Sequence, residues 1–305
     1  MSFGYQVLGF GGSGTAAETG NDNGIFAYGY PTSPGNVSNL VSNLGIVSTD
    51  VAGVGSARSA PAGCEYGSDT GIVAYGGSPF TAVSNLVSNT GIVSTDVSGV
   101  GSARYKPAAC DYGGDKGVFG FGASTTPVFS ITNLVSNTGV VGADVTGVAG
   151  ALARFSPGAC EYGEDKGIFG YGGTPSVQNM TNLISNTGVM SADVTGVGTA
   201  RQACGACSYG GDKGIFAYGG PRTAISNLVS NTGVVASDTS GVGVARDSVG
   251  ACEYGRDKAI FGYGSSAAAT TGIAISSLVS NTGVIAADGA AVGQARLELA
   301  GCSYN

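Results

Sequence analysis

The chain has 305 residues, of which 42% are hydrophobic and 11% charged, with a formal net charge of −7 and no histidine. The acidic balance argues against nucleic-acid binding, which usually needs a basic face. The lack of histidine excludes Ser-His-Asp and Cys-His catalytic arrangements and most zinc and copper sites. No run of about 18 apolar residues occurs, so no membrane insertion is predicted. The first residues lack a signal-peptide pattern, so the cytoplasm is the default location.

A repeated unit organises the sequence. An Asp recurs every 45 to 50 residues, and it opens a phrase such as Asp-Lys-Gly-Ile-Phe-Gly-Tyr-Gly. Then come Ser-Asn-Leu-Val-Ser-Asn-Thr-Gly-Val-Val, a Gly-Val-Gly-x-Ala-Arg segment and a closing Cys-Glu-Tyr-Gly or a close variant. Six such units cover residues 21–305.

Each unit is predicted to contain four short strands. In the first unit these are 24–29, 37–42, 45–50 and 58–66, all rich in β-branched or aromatic residues. The Asn-Thr-Gly phrase predicts a tight turn, because Asn and Gly accept a positive φ. Four strands repeated six times predict an all-β fold, a six-bladed β-propeller of four-stranded blades. A β-solenoid is the main alternative.

The units resemble kelch repeats. Residues 57–77 look like the kelch Arg, then an inner strand, then a second strand that ends in double glycine, although the kelch Trp is absent throughout. The resemblance implies that the inner strand follows the Arg, so the ring is closed by the C-terminal inner strand, 297–304, pairing with the first unit. Two parts are therefore expected: an N-terminal arm or extra strand at 1–20, and the six-repeat propeller at 21–305.

Loop length varies between the units on one predicted face, and that face is the candidate binding surface, since loops on a rigid scaffold often carry function. The alternative is that these are ordinary loop residues that pack under their own loops. The candidate residues on this face are Tyr30, Phe80, Tyr105, Lys106, Phe129, Phe155, Met180, Gln202 and Arg222.

One Arg per unit is expected to form a ring at the mouth of a central channel. In kelch-like binders, Arg at this place contacts acidic ligands. The resemblance therefore implies a site for an anion or an acidic peptide in this chain. The favoured interpretation is structural, an ion pair with an Asp such as Asp50 or Asp96, since an asymmetric ligand rarely needs six copies. The ring comprises Arg58, Arg104, Arg154, Arg201, Arg246 and Arg296.

No metal site, cofactor or catalytic residue is predicted. The one Cys in each unit is expected to be a small buried hydrophobe facing the next blade. Cys204 and Cys207 match C-x-x-C, but no second pair exists, and positions i and i+3 of a strand point to opposite faces. The presence of both Tyr and Cys resembles the copper-radical oxidases, which are built on a kelch-like propeller. Those enzymes also need His ligands, which are absent here.

The favoured function is a non-enzymatic structural and binding propeller. The Gly-rich repeats resemble propeller proteins of phage and other viral particles, which implies a virion surface or tail-fibre component for host attachment. The expected partner is another protein of a larger assembly or a surface glycan, with no nucleic acid and no membrane. The alternatives are a cellular kelch-like adaptor that binds an acidic peptide at the Arg-lined mouth, a lectin, or an enzyme such as a lyase.

Overall fold

A computed structural model describes residues 22–147, 150–268 and 271–304. The chain is all-β in these ranges, and every strand pairing is antiparallel. None of the described residues forms a helix that is long and apolar enough to cross a membrane. The proposed arm at 1–20 lies outside the described residues.

Six three-stranded sheets make up most of the structure, each with an inner, a middle and an edge strand. The inner strands are β3 (Ala62–Tyr66), β6 (Ala108–Tyr112), β9 (Gly158–Tyr162), β14 (Gly205–Tyr209), β18 (Gly250–Tyr254) and β22 (Ala300–Tyr304). The middle strands are β1 (Asn23–Gly29), β4 (Thr70–Gly76), β7 (Lys116–Gly120), β10 (Lys166–Gly170), β15 (Lys213–Ala217) and β19 (Lys258–Gly262). The edge strands are β2 (Gly35–Val41), β5 (Thr81–Val87), β8 (Thr132–Val135), β13 (Thr181–Ile184), β16 (Ser226–Val229) and β21 (Ser276–Val279).

Two additional sheets have only two strands of two residues each. They pair β11 (Gly173–Thr174) with β12 (Ser176–Val177), and β17 (Arg246–Asp247) with β20 (Ser265–Ser266).

The inner strands contact one another in a cycle that runs β3, β6, β9, β14, β18, β22 and back to β3. The last strand, β22, belongs to the same sheet as the first two, because it pairs with β1 in the register Ile25–Cys302. The two ends of the described chain are therefore held in one sheet.

The predicted six-bladed propeller of four-stranded blades is wrong. The sheets have two or three strands, they are separate, and none closes or curls on itself. The third run of each unit, such as 91–96, is not a strand, because it pairs with its edge strand through the isolated bridges of Val93 and Val97 and a single backbone bond from the Ser94 N–H to the Leu86 carbonyl. The Leu86 N–H donates to the Ser94 hydroxyl at 2.9 Å, so a side chain replaces the second backbone bond that a regular ladder would have here.

The core lies between neighbouring sheets rather than within any one of them. The aromatic side chains of successive middle strands meet edge to face, as Tyr75 and Phe119 do at a centroid distance of 5.3 Å. All seven cysteines are free and buried, and the Cys64 thiol packs beneath the backbone of Gly117 in the next sheet. Burial raises the pKa of the Cys64 thiol well above its ordinary value, so it is a small apolar filler here.

Candidate functional site

A ring of six residues joins the sheets just before their inner strands begin. The backbone N–H of each donates to the carbonyl of its counterpart in the preceding sheet, at 2.8 to 3.0 Å, and the sixth bond closes the ring. All six have φ between 49° and 58°, a costly conformation for residues with a Cβ, and the hydrogen bonds offset that cost. We call this set the mouth ring; it comprises Ala60, Lys106, Ser156, Ala203, Ser248 and Glu298.

The mouth ring surrounds a small cavity of about 80 Å³, the channel mouth. Lys106 and Glu298 flank Ala60 in the ring, and the small Ala side chain lets them meet above it, with Lys106 Nζ 3.0 Å from Glu298 Oε1. The Ser156 residue is 8% exposed and its hydroxyl makes no hydrogen bond. The mouth therefore offers one ion pair and one unpartnered hydroxyl.

An open groove of about 660 Å³, the aromatic groove, adjoins the channel mouth. Phe80 and Tyr105 stack at its wall, with ring centroids 5.0 Å apart and planes inclined by 18°. Tyr30 is 37% exposed and also lines the groove. Lys106 Nζ lies 5.4 Å from the Tyr105 centroid, so the ion pair of the channel mouth stands beside the aromatic wall. The volume is in the range of small-molecule sites.

Of the nine predicted binding residues, four therefore meet in one place: Tyr30, Phe80, Tyr105 and Lys106 all line the aromatic groove. The prediction missed Glu298, which occupies in the last unit the position that Lys106 holds in the second. The signal was present, since both residues stand two positions after the repeated Arg. Only their pairing across Ala60 needed the structure.

The other five predicted residues are dispersed around the same face, and none of them lines the aromatic groove or the channel mouth. Phe129 and Met180 are half-buried and hold their loops through backbone bonds to Gly122 and Tyr171. Arg222 lies 3.5 Å from Asp247 and donates to Ser265 at 2.7 Å. Phe155 and Gln202 form isolated bridges to Gly173 and Gly220.

The six arginines lie between neighbouring sheets, each at most 1% exposed, and do not line the channel mouth. Each guanidinium stacks on an aromatic ring of the adjacent sheet at 3.8 to 4.2 Å from the centroid. Among the described residues, carboxylates pair directly with Arg154 at 3.6 Å and with Arg246 at 2.8 Å. Asp96, expected to pair with an Arg, instead accepts the Ser56 N–H of the adjacent segment at 3.0 Å. Stacking and hydrogen bonds thus hold the arginines in place.

Deeper than the channel mouth, the inner strands enclose a second cavity of about 40 Å³. The residue after the Cys in each unit lines it, and four of these six residues are acidic: Glu65, Asp111, Glu161 and Glu253. Burial raises the pKa of Asp111 to about 6 and that of Glu253 to about 8, and their mutual repulsion adds to the effect on Glu253. Sequence reasoning overlooked this cluster, although the repeated Cys-Glu-Tyr phrase contains it.

No protein-family model and no curated protein matches the chain. Among solved structures, it is similar to one described as a novel fungal alcohol oxidase with catalytic diversity among the AA5 family, in complex with copper. The TM-score is 0.56 at 15% sequence identity, and the match covers 92% of this chain and 65% of that one. The chain thus spans about two thirds of the neighbour's length, and this likeness shows the fold alone.

This comparison corrects the functional expectations. The kelch-repeat and phage-type resemblance is wrong, because no family model matches and the solved neighbour is an oxidase. The expectation of a non-enzymatic virion or tail-fibre propeller, together with its adaptor and lectin alternatives, is wrong for the same reason. The expectation that the chain is not an enzyme is also wrong, because the solved neighbour is an oxidase. That expectation rested on the lack of histidine, which excludes particular catalytic arrangements and not catalysis as such.

Copper, which the neighbour binds, does not fit the residues of this chain. The sequence has no histidine. Within 22–147, 150–268 and 271–304, no three His, Cys, Asp or Glu side chains are grouped so that they could hold a metal ion. Cys204 and Cys207 are both buried, and burial raises the pKa of each thiol, which opposes the thiolate that a metal requires. No chemical step of this chain is therefore assigned to copper.

Proposed function

We propose that this protein is an enzyme that acts on a small hydroxyl-bearing substrate held in the aromatic groove. The observation that most supports this proposal is the ion pair of Lys106 and Glu298, with Nζ 3.0 Å from Oε1. The pair lies where the aromatic groove meets the channel mouth. A groove of this size with an aromatic wall and a few convergent polar groups is typical of a small-molecule site.

The two charged groups have complementary chemical roles in this proposal. The Glu298 carboxylate takes a proton from a substrate carbon that bears a hydroxyl next to a carbonyl and returns it to the neighbouring carbon, so the reaction is a redox-neutral isomerisation by general base catalysis. The Lys106 ammonium stabilises the negative charge that then develops on the substrate oxygen. Their side chains are 21% and 28% exposed, so both can be reached from the groove and both are partly shielded from water. Partial shielding strengthens the electrostatic effect of the ammonium.

The aromatic wall supplies the binding surface. Phe80 and Tyr105 are stacked on each other, so they form a broad flat surface that is already ordered before a ligand arrives. Preorganised aromatic faces bind the apolar faces of small rings at little entropic cost. The solved neighbour is described as an alcohol oxidase, which also favours a substrate with hydroxyl groups.

The test is a turnover screen of the purified full chain on aldoses, ketoses and smaller hydroxyaldehydes and hydroxyketones, with the isomeric products followed by NMR. We expect conversion of at least one hydroxyl-bearing compound. Glu298→Gln and Lys106→Met should each lower that rate by about 100-fold, the usual scale of an acid–base group. The matched control is Lys116→Met, which breaks the exposed pair with Asp115 in the turn between β6 and β7. Lack of turnover in the wild type, or a full rate in Glu298→Gln, would contradict the proposal.

A further inference from the structure

The ion pair of the channel mouth keeps unused hydrogen-bonding capacity on both sides. Lys106 Nζ has three N–H donors and forms an ion pair with Glu298 Oε1, while the second carboxylate oxygen of Glu298 accepts no hydrogen bond. Because the ion pair exists before a ligand arrives, a ligand binds most tightly when it contacts both Lys106 and Glu298 without separating them.

The spacing of the pair selects the ligand geometry. A donor and an acceptor 3.0 Å apart are as far from each other as the two oxygens of adjacent gauche hydroxyls. In such a vicinal diol, one hydroxyl accepts from Lys106 while the next donates to Glu298, so the ligand binds both charged groups at once. Hydroxyls in a 1,3 relation are spaced differently and cannot make both bonds at once without strain.

The surroundings of the pair fit the rest of such a ligand. On the groove side, Tyr105 lies beneath Lys106 and stacks with Phe80, so a saturated ring that carries the diol can pack on the aromatic wall. On the channel side, the unpartnered hydroxyl of Ser156 lines a cavity with room for a group of only a few non-hydrogen atoms.

We infer that the substrate carries a vicinal diol, which the Lys106–Glu298 pair recognises as a unit, with an adjacent third hydroxyl directed to Ser156. This rests on the proposed function, because it names the substrate class of the same site. It requires no change in the fold and no bound cofactor.

The test uses two isomers of the same composition, cis-1,2-cyclohexanediol and cis-1,3-cyclohexanediol. Their dissociation constants are measured with the full chain by saturation-transfer NMR titration. We expect the 1,2 isomer to bind about tenfold more tightly, the scale of one charge-assisted hydrogen bond. Glu298→Gln and Lys106→Met should abolish the preference, and Lys116→Met should keep it. Equal binding of the two isomers by the wild type would overturn the inference.

A second titration tests Ser156. Cyclohexane-1,2,3-triol should bind about threefold more tightly than the 1,2-diol, and Ser156→Ala should remove that difference without altering diol binding. The two proposals fail in different ways. Turnover of hydroxycarbonyl compounds that lack a vicinal diol, with no preference between the isomers, overturns the inference and leaves the function. A preference that depends on Lys106 and Glu298, without turnover of any compound, overturns the function and leaves the binding site.

Discussion

The interfaces between the sheets and the mouth ring contrast sharply in this molecule. Every interface uses the same contacts, an Arg stacked on an aromatic ring and a Cys packed against the next middle strand. The mouth ring keeps one backbone conformation at all six positions, yet its side chains differ in size and charge. The residues that repeat in every unit therefore hold the sheets together, whereas the candidate site lies where the side chains differ from one unit to the next.

The difference has a physical origin. A buried interface tolerates few side chains, because packing and hydrogen bonding must be satisfied together. The mouth ring is fixed by its backbone hydrogen bonds, so its side chains are free to vary. If this comparison is right, substitutions in the interfaces lower stability and leave the groove intact, whereas substitutions at Lys106 or Glu298 alter binding and leave stability nearly unchanged.

The largest expected effect comes from removing a buried guanidinium. Arg246→Met deletes the ion pair with Asp288 at 2.8 Å, a bond to Ser277 at 3.0 Å and the stack on Tyr218. Asp288 is left partly buried without its cation, so we expect the free energy of unfolding to fall by about 3 kcal/mol. Urea denaturation measures this change.

The control for this prediction is Arg222→Met, which removes a more exposed pair with Asp247 at 3.5 Å. Its cost should be below about 1 kcal/mol, as for other exposed pairs. A loss in Arg246→Met no larger than in Arg222→Met would mean that the buried interfaces contribute no more to stability than an exposed loop pair does.

A smaller effect is expected where Cys and Gly meet. A Cβ added at Gly117 would lie 2.5 Å from Cys64 Sγ and 2.9 Å from the Glu65 carbonyl oxygen, so Gly117→Ala should cost about 2 kcal/mol. In the sheet of β18 and β19 the same position is Ala259, which is fully buried. Ala259→Gly should cost about 1 kcal/mol, through lost packing and greater freedom of the unfolded chain.

Thermal unfolding of both variants provides the measurement. Gly117→Ala enlarges the side chain and Ala259→Gly shortens it at an equivalent position. Both variants should be less stable than the wild type only if each interface is packed around the residue that it has. A stabilised Gly117→Ala would show instead that the interface has spare room.

Much of the repeat was predictable from the sequence, because its runs of β-branched and aromatic residues are local features. The predicted strand at 24–29 is within β1, and 37–42 overlaps β2. The run at 45–50 was mispredicted as a strand, since the Ser48 hydroxyl takes the Leu40 N–H and interrupts the ladder. A side-chain bond of this kind leaves the β-propensity of the segment unchanged, so the pattern gives no warning of it.

The candidate site was only partly predictable for a different reason. Tyr105 and Lys106 stood out as departures from the repeat, but Glu298 lies far away in the sequence and meets Lys106 only where the two ends of the chain come together. The buried stacking of the arginines also joins neighbouring sheets, as with Tyr28 beneath Arg58, although the two residues lie in the same unit of the sequence. Contacts between units follow from the cyclic order of the sheets, which a single repeat does not encode.

The last prediction concerns pH and the cavity between the inner strands. Burial raises the pKa of Glu253 to about 8 in the folded state, so folding favours its protonated form. The unfolded chain releases this proton near pH 4, and the folded chain retains it up to about pH 8. The unfolded state therefore binds fewer protons throughout this window, and the contribution of Glu253 to stability declines as pH rises. Asp111, with a pKa of about 6, acts in the same direction between about pH 4 and pH 6.

Glu253→Gln removes this dependence while keeping the shape of the side chain. The excess of its free energy of unfolding over that of the wild type should be about 3 kcal/mol larger at pH 8 than at pH 5, because each pH unit in which only the folded state holds the proton is worth about 1.4 kcal/mol. Urea denaturation at both pH values measures the difference. The opposite trend is expected of Asp96, whose pKa is lowered by hydrogen bonds from Ser56 and Asn85, so its stabilisation is lost only as pH falls below about 4. A Glu253→Gln variant that is equally stabilised at both pH values would mean that the carboxyl is charged in the folded protein at pH 5, and that the inner cavity is wet enough to solvate it.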